Sequence, residues 1–186
     1  RYWLTHTWVC KQSPELSRIK APLIEWESRG LLTFVDDVEI SPSIPAHWLA
    51  EQRFKYNIVG LALDYYRYTL LSKALVDVGF DANKKGQNNI KLTRPSDEMQ
   101  ISPSITSNFT NQRYVWGDNP LMRWYTNNSK ISMSSAGNIT YEKIEPKSRK
   151  TDGFKALVAA ETISDRLEVL KSMSSSQGAY NKVYTY

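Results

Sequence analysis

Apolar and polar positions alternate from the first residues. Tyr2, Leu4, His6 and Trp8 fall on one side of an extended segment and Trp3, Thr5, Thr7 and Val9 on the other, which predicts a strand over residues 2–9. Because Arg1 already lies inside that pattern, the chain is expected to be a fragment of a longer protein. A short helix follows over 22–29, stopped by Gly30, then a strand over 31–35 and a helix over 44–56 with Pro42 and Pro45 near its start. Residues 57–63, Asn-Ile-Val-Gly-Leu-Ala-Leu, are too continuously apolar for a strand with one wet face and predict a strand buried on both sides, ending at Asp64. The next helix carries Tyr68, Leu71, Leu75 and Val78 on one stripe and stops at Gly79.

Residues 81–104, rich in Asn, Lys, Pro and Ser, predict a loop with one short strand over 90–92. Helices are expected over 105–111 and 120–126. Residues 130–133 and 139–141 flank Ser134-Ser-Ala-Gly-Asn138, a hairpin signal. From Gly153 a long helix is predicted with Ala156, Ala160, Ile163, Leu167 and Leu170 facing the core, and residues 172–186 lose periodicity and are expected as a tail. Strands alternating with helices argue for one α/β domain over residues 1–171 with a largely parallel sheet. No internal repeat is present.

Composition narrows the picture only in places. At 186 residues, 41% of them hydrophobic, the chain can bury one core. No apolar run approaches the roughly 20 residues of a membrane-spanning helix, and no signal-peptide pattern opens the chain, so it is expected to be soluble and intracellular. Cys10 is the sole cysteine and His6 and His47 the sole histidines, which excludes an internal disulfide and a cysteine-built zinc site. The net charge of +5 favours an anionic partner, although many ordinary proteins share such an excess. The tryptophans Trp3, Trp8, Trp26 and Trp48 read as core, since a base-stacking surface would need them together on an exposed face.

Two aspartates carry the candidate chemistry. Asp64 ends the apolar strand, and Asp152 follows Lys147-Ser-Arg-Lys-Thr151 and opens the last helix. By spacing alone both read as helix caps. If they converge they could instead hold a divalent cation against a phosphate, and the two roles are compatible because a carboxylate has two oxygens. Lys143, Lys147, Arg149, Lys150 and Lys155 surround Asp152 and could track a DNA backbone or form a solvated strip diluted by Glu142 and Glu145. Arg67 follows Asp64 and could reach a phosphate. Trp124, beside Arg123, is expected to pack.

Gly117-Asp-Asn-Pro-Leu-Met-Arg-Trp124, the hairpin around Gly137-Asn-Ile139, and Lys147-Ser-Arg-Lys-Thr-Asp-Gly153 ahead of Ala156-Leu-Val-Ala159 occur in a recognisable order. With Tyr2-Trp-Leu-Thr-His-Thr-Trp8, Trp26-Glu-Ser-Arg-Gly-Leu31 and Tyr56-Asn-Ile-Val-Gly-Leu-Ala-Leu-Asp64, the chain resembles the C-terminal nuclease domain of tailed-bacteriophage and prophage terminase large subunits over about residues 1–167. That resemblance implies an RNase H-like α/β fold, a mixed, mostly parallel sheet flanked by helices with an inserted hairpin. It further implies cleavage of double-stranded DNA during genome packaging in the host bacterial cytoplasm. Asp64 and Asp152 match two of the family's three acidic ligands for Mg²⁺ or Mn²⁺, two ions when the site is complete. The first acid has no counterpart, because Arg1 falls beyond its strand. Asp36 and Asp37 match a loop position. Asp165, 13 residues past Asp152, would lie about 20 Å along a continuous helix at about 1.5 Å per residue, too far to join. Implied partners are the terminase ATPase domain, the small subunit and the portal. None of the eight glycines opens a Gly-x-x-x-x-Gly-Lys-Ser/Thr loop, so the ATPase motor is expected elsewhere. An alternative reading is a non-catalytic DNA-binding or assembly module on the same scaffold.

Overall fold

The computed structural model describes residues 1–86 and 88–167. Two parallel strand pairs form its frame. β1 (Thr7–Cys10) pairs with β2 (Leu32–Val35) from Thr7↔Leu32 to Cys10↔Val35, and α1 (Leu23–Ser28) lies on the crossover between them. After α2 (Ser43–Gln52), β3 (Leu61–Asp64) pairs with β4 (Ile90–Thr93) from Leu61↔Ile90 to Asp64↔Thr93 across α3 (Tyr65–Asp77). Both are βαβ units, as expected for parallel neighbours. Then come α4 (Pro95–Thr110), α5 (Pro120–Asn127), the antiparallel hairpin of β5 (Ser129–Met133) and β6 (Ile139–Lys143), and α6 (Asp152–Glu161). The α/β class and the hairpin agree with the sequence reading. The strands, however, form three separate two-stranded ladders among the described residues.

Two cores hold the frame together. Trp26, Leu32, Ile105, Leu121, Tyr125, Tyr141, Phe154 and Val158 pack as one cluster, with Trp124 edge-on to Trp26. Ala46, Leu75, Phe80 and Ile90 form the second, between α2, α3 and the β3–β4 pair. Burying such side chains is the main favourable term in folding. Trp26 is core as expected. Trp3, Trp8 and Trp48 are only half-buried; Trp8 and Trp48 meet edge-on beside His6.

Four expectations need correction. The strand expected over 2–9 is confined to Thr7–Cys10. Upstream, Tyr2 makes an isolated bridge with Val115, and Tyr2 and Leu4 are exposed. The strand expected over 57–63 starts only at Leu61, and none of Leu61, Ala62 and Leu63 is fully buried; among the described residues β3 has a strand neighbour on one side only.

α4 begins at Pro95, ten residues before the helix expected at 105. Its periodicity is hidden because two of its three buried positions, Ser102 and Asn108, are polar. Pro103 stands inside it and removes an N–H that would bond the Met99 carbonyl. The Ser102 hydroxyl donates to that carbonyl instead, at 2.9 Å.

The last helix ends at Glu161, where a turn intervenes, and its buried face is Phe154, Leu157, Val158 and Glu161. Ala156 is exposed and so is Leu167; Leu170 and the expected tail over 172–186 lie outside the described residues. The break also removes the straight-helix estimate for Asp165.

Candidate active-site cleft

β3 ends at Asp64, so the aspartate stands at the carboxyl end of a parallel strand, where α/β folds place their ligand sites. Its Oδ1 accepts from the N–H groups of Tyr66 at 2.8 Å and Arg67 at 3.3 Å, capping α3. Oδ2 has no hydrogen-bond partner among the described residues. Asp152 differs. The cap position of α6 belongs to Thr151, and Asp152 is the first helical residue, exposed, with no hydrogen bond to its carboxylate among the described residues. Capping therefore accounts for one oxygen of Asp64 and none of Asp152.

Both aspartates line one cleft of about 720 Å³ between β3, the start of α4, β6 and α6. Arg67, Arg94, Glu98, Lys143 and Lys155 line it with them. The Arg94 guanidinium lies over the Tyr65 ring, 4.8 Å from its centroid, at the same end of β4. A second cavity of about 410 Å³ runs along β1 and meets the first at Arg67, Lys143 and Asp152.

Asp152 is seated by what lies beneath it. Gly153 rests on the Tyr125 ring so closely that a Cβ there would stand 2.8 Å from Cε2. Tyr125 is buried, with its hydroxyl 3.3 Å from Thr7 Oγ1. Burial pushes its phenol up to about 12, against the lowering by the Thr7 hydrogen bond and with a further rise from the Asp152 charge.

The basic residues are not equivalent. Arg67 is exposed and lines both cavities, and its guanidinium has no partner among the described residues. Lys150 lines the second cavity and pairs with Glu15 at 2.5 Å, while Lys155 lines the first and pairs with Glu98. Arg149 reaches Asn128 Oδ1 at 3.4 Å, and Lys147 is exposed; neither lines either of the two cavities. Asp36 accepts from Gln12 and Asp37 from the Val38 N–H, both away from the cleft. Glu98 is the cleft residue that sequence reasoning missed, because its segment read as loop. Pro95 followed by Asp97 and Glu98 was the available signal, a proline at the first helical turn with acids behind it.

Among the described residues, no group of three or more His, Cys, Asp or Glu side chains converges closely enough to hold a metal ion. Two carboxylates with free oxygens are the donor set present, and hard oxygen donors suit Mg²⁺ and Mn²⁺. No helix among the described residues is long and apolar enough to cross a membrane.

The fold and cleft thus define an α/β domain of paired βαβ units with an acidic and basic cleft at the carboxyl end of its strands. No protein-family model and no curated protein matches the sequence. Among solved structures, the fold is that of part of the large terminase of bacteriophage HK97, with a TM-score of 0.70 over 84% of this chain and 32% of that one, at 19% identity. The chain therefore spans about a third of that protein's length, and at this identity the likeness is one of fold.

Proposed function

We propose that this chain is the nuclease part of a phage or prophage DNA-packaging terminase large subunit, a metal-dependent endonuclease that cuts double-stranded DNA during packaging. The observation that carries the reading is that Asp64 and Asp152, from elements 88 residues apart, line one cleft in a fold shared with a phage large terminase. Asp64 Oδ2 and the Asp152 carboxylate would hold Mg²⁺ or Mn²⁺, with a third carboxylate brought in from outside the described residues. When bound, such ions would supply activation of a water and stabilisation of the leaving oxygen in phosphodiester hydrolysis. The chain's own residues seat the DNA. Arg67, at the meeting of the two cavities and with its guanidinium unpaired among the described residues, is well placed to take a backbone phosphate, and Lys143 lines both cavities with it. The ATPase domain, small subunit and portal are the partners this reading implies, in the host bacterial cytoplasm.

Plasmid nicking with Mn²⁺ by the full-length protein tests it. Asp64→Asn and Asp152→Asn should each abolish nicking, and unchanged cleavage by either removes that residue from the mechanism. The second reading is a DNA-binding or assembly module without catalysis. The basic side chains lining the cleft, Arg67, Arg94 and Lys143, suit that reading as well. Salt-sensitive DNA binding without metal-dependent cleavage would establish it.

A further inference from the structure

Glu98 stands in the first turn of α4 with its side chain only 16% exposed. It is the third carboxylate lining the cleft with Asp64 and Asp152, and it is already engaged. Its Oε1 accepts the Tyr141 backbone N–H at 2.6 Å, and Lys155 Nζ lies 2.7 Å from each of its oxygens. One carboxylate therefore ties α4, β6 and α6 together at the cleft wall. Both oxygens being occupied, Glu98 is poorly suited to complete a metal site.

Lys155 lies three residues after Asp152, so the two share a face of the first turns of α6. An ammonium has three N–H donors and no acceptor. With two directed at Glu98 one remains, and the Lys155 side chain is 41% exposed in the cleft. A lysine on an open surface swings freely and attracts DNA at long range. One neutralised by a carboxylate attracts little, but charge-assisted bonds fix where its remaining donor points.

Resting on the nuclease reading above, we infer that Glu98 is a positioning residue that holds Lys155 so that its remaining N–H meets a phosphate oxygen of DNA seated against Asp64 and Asp152. Groups that hold a reactant in register act on the chemical step more than on affinity. The pair should therefore appear in kcat and leave half-saturating DNA nearly unchanged.

The test is single-turnover and steady-state plasmid nicking with Mn²⁺ by the full-length protein, comparing wild type, Glu98→Gln, Lys155→Met, the double variant and Asp64→Asn. Glu98→Gln keeps an oxygen for the Tyr141 N–H, so β6 remains docked, and thermal melts of each variant confirm the fold. Each single substitution should slow nicking on the order of tenfold or more, with half-saturating DNA within about twofold, and the double should be no slower than the worse single. Lys155→Arg, which restores a cation that Glu98 can hold, should recover part of the rate. A double variant slowed by the product of the singles, or Glu98→Gln at full rate while Asp64→Asn is dead, overturns the pairing and leaves the nuclease reading intact. Asp64→Asn at full rate, or a wild type that does not nick, overturns both.

Discussion

Gly153 lies flat against the Tyr125 ring, with no room between them for a methyl group. The contact fixes the depth at which α6 begins, and Asp152 is the residue immediately ahead. Gly153→Ala should therefore push the start of α6 outward and cost about 1–3 kcal/mol, the usual price of overpacking. A lowered urea midpoint, together with weakened Mn²⁺-dependent nicking, is the expected result. Tyr125→Leu in the same chain should recover much of the stability by removing the obstructing ring edge.

Asp64 combines a cap with a free oxygen, and the two can be separated. Asparagine caps a helix about as well as aspartate but lacks the charge. Asp64→Asn should melt within a degree or two of wild type yet lose metal-dependent cleavage. Asp64→Ala should lose the cap as well, at about 1 kcal/mol. Equal melting temperatures for the Ala and Asn variants would show that the bonds to Tyr66 and Arg67 contribute nothing.

The Ser102 hydroxyl stands in for the N–H that Pro103 lacks. Ser102→Ala should leave the Met99 carbonyl without that donor and cost about 1–3 kcal/mol in chemical denaturation. Adding Pro103→Ala supplies an N–H at the same place, so the double variant should be more stable than Ser102→Ala alone.

The Tyr125 phenol titrates near 12 in the folded chain, raised from 10.0. An unfolded chain would ionise it first. The stability linked to this group is therefore fully present below about pH 10 and falls as pH rises toward 12, by about 2–3 kcal/mol in all. Urea midpoints measured across that window should drop more steeply for wild type than for Tyr125→Phe. Parallel curves would remove Tyr125 as the cause.

Much of the frame was legible from punctuation and period. α1 with Gly30, α3 with Gly79, β2, β4 and the β5–β6 hairpin all combine apolar spacing with a residue that ends the element. α4 was illegible because polar Ser102 and Asn108 occupy its buried face and Pro103 interrupts it, so tertiary packing overrides local pattern. In α6 the alanine stripe misled: Ala156 faces the cleft, where a small side chain leaves room, and the larger Phe154, Leu157 and Val158 turn inward. For the cleft, Asp64 and Asp152 were readable from motif order. Their difference as caps was not, since it depends on one residue of register at Thr151. Glu98 was hidden with the helix that carries it.

Among the described residues, β3 is hydrogen-bonded to a strand on one side only. Leu61, Ala62 and Leu63 are all apolar, with no charge before Asp64. Where an apolar edge of that kind stays open, it is a template for an extended segment, including the same segment of another molecule. The strand that delivers Asp64 to the cleft is thus also one through which two copies of the chain can pair wherever that side stays open.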